Sequence, residues 1–481
     1  MLVTKNDEAL YAAFKAKDAR FDGRFFVGVS TTGIYCRPVC KAKQPKIENC
    51  SFYDTAAEAE QDGYRPCLLC RPELAPGKSI TDAKEDLALR ASRKLEELCA
   101  SGLSMDEIAG RLGYTSRHLR RVFMEAYHIP PLQYLQTCRL SLAKSLLTDT
   151  DLSVLDIAIA SGFGSANRFD ELFKKRYRLS PASLRKGVRG SMPFITLALG
   201  YRPPYCWEPM VRFLSARAIP GIEEVKDGTY SRAVRIAESG KTSIGWVKVS
   251  QISEKNSLLV HLSESLLPVL PQVLARIKRL FDLHCDPYAV YETLEAMNEI
   301  RPGLCTLGTR VPGCFDAFEM GVRAVLGQQI SVKAAGTLAS RITQAYGTPV
   351  DTGVNSLNRV FLTPEEVVEM GSSIKSRFGE LGVTSARSET ILELAKAFQN
   401  GIGFESSRPE EEIKKLMAIK GIGSWTANYI AMRAMGSTDA FLETDAGVKR
   451  ALGLEPAEIA KMAEAWRPWR SYAAVNLWNT L

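Results

Sequence analysis

Apolar residues recur at helical spacing from Leu87 to Arg185, then alternate with polar ones in stretches such as Phe194-Ile-Thr-Leu-Ala-Leu and Leu258-Leu-Val-His-Leu. Helical spacing returns from Leu270 onward, punctuated by Pro302, Pro312, Pro349, Pro364 and Pro409. These periods predict an all-helical segment, a small antiparallel sheet and a bundle of several medium helices. The first helical segment repeats itself weakly at an offset of 49 residues, pairing Ser104 with Ser153, Ile108 with Ile157, Ala109 with Ala158 and Gly113 with Gly162. Two copies of one small unit are implied. Leu74-Ala-Pro-Gly-Lys-Ser-Ile-Thr-Asp82 and Lys186-Gly-Val-Arg-Gly-Ser-Met-Pro193 read as linkers. The expected domains are 1–78, 84–188, 193–285 and 286–481, a multidomain chain that is mainly α with α+β parts.

Charge separates these parts. Residues 1–190 hold 30 basic and 23 acidic side chains, whereas 191–481 hold 32 and 31, so nearly all of the net +8 lies in the N-terminal part. That asymmetry favours an anionic partner there, though charge alone leaves open a plain solvated surface. No apolar run approaches the roughly 20 residues of a membrane span. The start, Met1-Leu-Val-Thr-Lys-Asn-Asp-Glu, lacks a signal-peptide core. A cytoplasmic chain with no membrane partner is expected.

Four of the 11 cysteines form one pattern, Tyr35-Cys-Arg-Pro-Val-Cys40 followed by Arg65-Pro-Cys-Leu-Leu-Cys70. Two short-spaced pairs suit a tetrahedral zinc ion, so Cys36, Cys40, Cys67 and Cys70 are the expected ligands of one Zn2+, and spacing alone suggests a folding staple. The surrounding words say more. Thr31-Thr-Gly-Ile-Tyr-Cys-Arg-Pro-Val-Cys, Asn49-Cys-Ser-Phe-Tyr-Asp and Gly63-Tyr-Arg-Pro-Cys-Leu-Leu-Cys closely resemble the N-terminal domain of the Ada adaptive-response proteins. The resemblance implies that Cys36 is both ligand and methyl acceptor, taking one methyl group per protein from a DNA methylphosphotriester.

Ser104-Met-Asp-Glu-Ile-Ala-Gly-Arg-Leu-Gly-Tyr-Thr-Ser opens on a capping box and turns at Gly113 into a second helix; Ser153 to Tyr177 follows the same plan with Asp156 in the Glu position. One such unit is compatible with a simple helical hairpin. Two, joined by a helix around Tyr134 to Leu147, resemble the AraC-type DNA-binding domain. Its recognition helices would run near Ser116–Tyr127 and Ser165–Tyr177. Arg117, Arg120 and Arg121 are candidates for one major groove, with Asn167 and Arg168 for the other. Lys174, Lys175 and Arg176 suit phosphate contacts.

Near the C-terminus, Met417-Ala-Ile-Lys-Gly-Ile-Gly-Ser-Trp-Thr-Ala-Asn-Tyr429 sets a two-glycine turn between apolar helical stretches, with Asp445 downstream. Such a turn frees backbone N–H groups near Gly421 and Gly423 to grip a phosphate. With Tyr205-Cys-Trp-Glu-Pro-Met-Val-Arg-Phe-Leu-Ser-Ala-Arg-Ala218, Phe318-Glu-Met-Gly-Val-Arg-Ala-Val-Leu-Gly-Gln-Gln-Ile-Ser331 and Trp466-Arg-Pro-Trp-Arg-Ser-Tyr-Ala473, it resembles the AlkA-type 3-methyladenine DNA glycosylases of the helix-hairpin-helix superfamily. The resemblance implies a catalytic Asp445 that stabilises an oxocarbenium-like sugar, and a base pocket of Phe213, Trp425, Tyr429 and Trp478. Read alone, Asp445 is also compatible with a simple helix cap after Thr444, and each aromatic residue with core. Trp425 stands where glycosylases with lyase activity have lysine, so simple hydrolysis is expected. Gln329 stands where one subgroup carries a leucine wedge, and no iron–sulfur loop is recognisable.

The resemblances together imply a small zinc-bound α/β domain, an all-α double helix-turn-helix domain, a small antiparallel sheet domain and all-α helix-hairpin-helix domains. They imply a bacterial, nucleoid-associated transcription regulator and repair enzyme, monomeric, with alkylated and promoter double-stranded DNA and RNA polymerase as partners. The Pro-Cys-His-Arg motif of O6-methylguanine methyltransferases is missing. The alternative is a regulator with a structural zinc site and a non-catalytic glycosylase-like module.

Overall fold

The computed structural model describes residues 5–79, 86–185, 194–238, 240–402 and 409–481. The segment 186–193, expected as a linker, and residues 80–82 of the earlier one lie outside the described residues.

The N-terminal unit is a four-stranded sheet in the order β3-β1-β2-β4, made of β1 (Phe26–Val29), β2 (Ile34–Cys36), β3 (Cys50–Tyr53) and β4 (Arg65–Pro66). β1 pairs antiparallel with both neighbours, while β2 and β4 run parallel, with Ile34 opposite Arg65 and Tyr35 opposite Pro66. Parallel pairing brings the two strand ends out on the same side. Cys36 closes β2 and Cys67 directly follows β4, so the topology itself delivers the first cysteine of each pair to one place.

Helices then take over. Ser104 caps Met105–Arg111 in a reciprocal capping box with Glu107, and Thr115 caps Ser116–Tyr127. Ser153 and Ser165 repeat those caps for Val154–Ala160 and Ala166–Tyr177. Gly113 and Gly162 sit at the two turns with φ of +80° and +79°, a left-handed conformation in which a side chain would be strained. The 49-residue offset is therefore a structural repeat, bridged by the long helix Pro131–Asp149.

A five-stranded antiparallel sheet follows, in the order β5-β9-β8-β7-β6: β5 (Phe194–Gly200), β6 (Glu223–Lys226), β7 (Thr229–Glu238), β8 (Lys241–Ile252) and β9 (Ser257–Ser263). The alternating stretches at Phe194 and Leu258 are β5 and β9, paired across their whole length. Alternate β5 side chains are buried, and they join one apolar cluster with Phe169, Phe173 and Tyr177 of the second helix-turn-helix unit. From Leu270 the rest is essentially helical, and it positions two further cores, one around Phe318, Ile391 and Ile430, the other around Phe441, Trp466 and Tyr472.

The units are fastened by polar contacts as well. Arg24 of the zinc unit pairs with Asp286, and Arg202, fully buried, donates to the carbonyls of Asp22 and His284. Lys278 pairs with Glu96 at 3.0 Å.

Candidate functional site

The hairpin runs from helix Pro409–Met417 through Gly421 and Gly423 into helix Ser424–Ile430. Gly421 has φ of +93°, and a Cβ there would lie 2.0 Å from Thr390 Oγ1, so both dihedral and space demand glycine. The Ile422 N–H is spent on the Ile419 carbonyl, whereas those of exposed Gly421 and Gly423 have no acceptor among the described residues. Gln328 braces the turn, donating to the Gly421 carbonyl at 2.8 Å and to Thr426 Oγ1 at 2.9 Å. Its neighbour Gln329 is exposed with φ of +56° at the start of the adjoining loop.

Asp445 is a helix cap and more. Its Oδ1 accepts the N–H groups of Gly447 and Val448 at 2.9 and 3.0 Å, capping Ala446–Leu452. The same oxygen accepts Trp478 Nε1 at 2.9 Å, and Oδ2 accepts Trp425 Nε1 at 3.1 Å. Four N–H donors thus converge on one carboxylate and fix its direction. The rings are joined to each other too: Trp425 stacks on Tyr429 at 5.1 Å with planes 7° apart, and Phe213 stacks on Trp478 at 6.0 Å and 23°. Tyr429 lies 6.4 Å from Trp478, tilted. The structure therefore brings Phe213, Trp425, Tyr429, Trp478 and Asp445 together from three distant stretches of chain.

Three neighbours of that cluster escaped sequence reasoning. Gly447 gives Trp478 its approach, since a Cβ there would come within 2.9 Å of the indole. Arg433 lies buried in a π-helical turn, Ala431–Met435, and donates to the Tyr429 hydroxyl at 2.7 Å. Arg217 places its guanidinium carbon 3.7 Å from the Phe213 ring centre. The usable signal was helical spacing: Arg217 is four residues past Phe213, and Arg433 four past Tyr429. A cavity of about 240 Å³ lies elsewhere, where the zinc unit, the helix-turn-helix helices and the sheet meet.

In the zinc unit the Sγ atoms of Cys36, Cys40, Cys67 and Cys70 all lie within 4.8 Å of one another. A tetrahedron with Zn–S distances of about 2.3 Å has edges of about 3.8 Å, so small adjustments seat the ion. Four thiols, with no carboxylate joining the group among the described residues, fit one Zn2+, and none of the four is spent in a disulfide. Arg37 frames the site: its N–H points at Cys70 Sγ at 3.4 Å, and its guanidinium donates to the Cys70 carbonyl and pairs with Asp22. Cys50 stands outside the quartet, its thiol pushed up to about 11 by burial.

On the helix-turn-helix units, Arg117, Arg120, Arg121, Asn167 and Arg168 are exposed, with Arg121 in a surface pair with Glu125. Arg176 is different from the expected phosphate contact. It turns inward, donates to the Glu60 carbonyl and lies 3.5 Å from the Glu60 carboxylate, because Ala166–Tyr177 packs that edge against the zinc unit. Lys174 and Lys175 remain exposed.

The parts define a DNA-binding protein that joins a thiol-rich zinc unit and paired helix-turn-helix units to a helix-hairpin-helix body. Three family models match separate parts of the chain. Residues 9–73 match the metal binding domain of Ada, 108–187 a helix-turn-helix domain and 196–316 the AlkA N-terminal domain. The chain is 35% identical to the probable bifunctional transcriptional activator/DNA repair enzyme AlkA of Mycobacterium tuberculosis, over 98% of this chain and 96% of that one. It belongs to that family of bifunctional transcriptional activator and DNA repair proteins. It is also 38% identical to DNA-3-methyladenine glycosylase 2 of Escherichia coli over 59% of this chain and 96% of the relative. A further relative, at 30% identity over 35% of this chain and 78% of its own length, is the bifunctional transcriptional activator/DNA repair enzyme AdaA of Bacillus subtilis.

Proposed function

We propose that this chain answers DNA alkylation twice: Cys36 accepts a methyl group from a methylphosphotriester, and the body around Asp445 hydrolyses the N-glycosidic bond of alkylated purines such as 3-methyladenine. The observation that carries the second activity is a carboxylate held by two indole N–H groups inside a cluster of aromatic rings. Electron-rich faces attract a base made cationic by alkylation. Such a base is already a good leaving group, so the remaining task is the sugar. Asp445 stabilises the positive charge that develops there as the bond breaks, and water completes the hydrolysis. Gly421 and Gly423 hold the backbone phosphate through their N–H groups, and no lysine replaces Trp425 to form an imine. The product is an abasic site in an intact strand.

For the first activity, zinc when bound holds the quartet as thiolates. The Cys36 sulfur attacks the methyl carbon, a C–S bond forms, the C–O bond breaks, and the phosphodiester leaves as an anion. The thioether formed carries one negative charge less than the thiolate, so repulsion from DNA falls and the methylated protein binds promoter DNA more tightly. Exposed Arg117, Arg120, Arg121, Asn167 and Arg168 are the proposed groove contacts. One experiment tests both halves: incubate the chain with methylated duplex, analyse released bases, and weigh the Cys36 peptide. Released 3-methyladenine, strand breaks only after alkali and one added methyl on Cys36 are expected. Breaks without alkali would contradict simple hydrolysis, and an unmodified Cys36 would leave the quartet a structural staple.

A further inference from the structure

The rings around Asp445 draw in positive charge, yet two cations already stand among them. Arg433 lies 4.8 Å from the Phe213 ring centre and 5.5 Å from that of Tyr429, and Arg217 lies 3.7 Å from Phe213. Arg433 is 3% exposed and spends its donors on neutral acceptors, the carbonyls of Pro312 and Gly313 and the Tyr429 hydroxyl. Arg217 donates to the Phe213 carbonyl. Neither guanidinium has a carboxylate within 4.0 Å among the described residues. Nearby, Arg232 and Arg323 by contrast each meet both Glu223 and Glu319.

The positive field reaches the ring cluster. Burial acts to raise the Tyr429 phenol, but Arg433, Arg217 and Arg323 together bring it below its ordinary value. Two guanidiniums with no carboxylate partner among the described residues therefore stand against Phe213 and Tyr429, the rings that stack on the two indoles holding Asp445. A cationic base entering here is attracted by the ring faces and by Asp445, and repelled by both arginines. An uncharged purine meets the same walls without that repulsion and still gains the stacking.

We propose that Arg217 and Arg433 determine lesion specificity by charge, offsetting the pull of the rings on cationic bases so that uncharged damaged purines are taken on comparable terms. The proposal rests on the glycosylase reading above. Arg217 is the better handle because it is only half-buried, whereas Arg433 also braces the 312–313 loop.

The test is single-turnover base release by the full chain from duplexes that contain either 7-methylguanine, which is cationic, or hypoxanthine, which is not. In Arg217→Gln the cationic-to-neutral rate ratio should rise about tenfold, the effect of removing one charge several ångströms away in a partly screened site. Arg217→Lys keeps the charge and should keep the wild-type ratio. Both substrates are read on one preparation, so any loss of folded protein divides out. An unmoved ratio in Arg217→Gln, or an equal rise in Arg217→Lys, would overturn the proposal. Release of neither base by the wild type would instead remove the glycosylase reading, and this proposal with it.

Discussion

Trp425 combines two tasks in one side chain, since its ring stacks on Tyr429 while its N–H holds an oxygen of Asp445. Trp425→Phe keeps a ring and loses the donor. Base release should fall roughly tenfold, the weight of one hydrogen bond to a charged group, about 1.5 kcal/mol, with little change in melting temperature. Rates equal to wild type would show that the indole does not position the carboxylate. A second residue gives a pH signature. Burial raises Asp282 to about 6, despite Arg310 nearby and a hydrogen bond from Tyr472. In the unfolded chain this carboxyl ionises near pH 4, so between about pH 4 and 6 the folded protein binds the extra proton, and stability falls as pH rises through that window. The swing is about 3 kcal/mol at most. Asp282→Asn should flatten the melting curve against pH over that window, and an unchanged slope would assign the titration elsewhere.

Helix caps, turn glycines and alternating strands were legible because each is a local pattern with a local cause. Ser104 with Glu107, the paired Gly113 and Gly162, and the alternation in Phe194–Gly200 all lie where their neighbours dictate. Contacts across the chain were not. Nothing near Arg176 in sequence announces Glu60, 116 residues away, and an exposed helix of lysines and arginines gives the same periodicity whether or not one of them turns inward. The hairpin shows the limit from the other side: the two glycines were readable, but the reason for one of them is Thr390 on another helix. Gly421→Ala meets both a left-handed φ and that contact. It should weaken binding to undamaged duplex and cost about 1–3 kcal/mol of local stability. Unaltered affinity would mean that the turn does not hold phosphate.

At the scale of the molecule the units are interlocked through buried polar groups as well as apolar cores. Glu60, 2% exposed, accepts from Tyr35 beside Cys36 and from Thr137 on Pro131–Asp149, and it meets Arg176 on Ala166–Tyr177. The zinc unit is thereby part of the scaffold that holds the helix-turn-helix pair. Removing zinc with a chelator should lower the first unfolding transition and the affinity for promoter DNA together, because the metal's binding energy is folding energy for the quartet. Chelation without effect on either would place the metal outside the scaffold. The body around Asp445 keeps its own cores, so base release should outlast zinc loss. The most direct measurement of the central claim is therefore 3-methyladenine release from methylated duplex by the wild type and by Asp445→Asn. The carboxylate's role in stabilising the sugar cation requires a fall of about a hundredfold or more. Release at the wild-type rate from Asp445→Asn would contradict it.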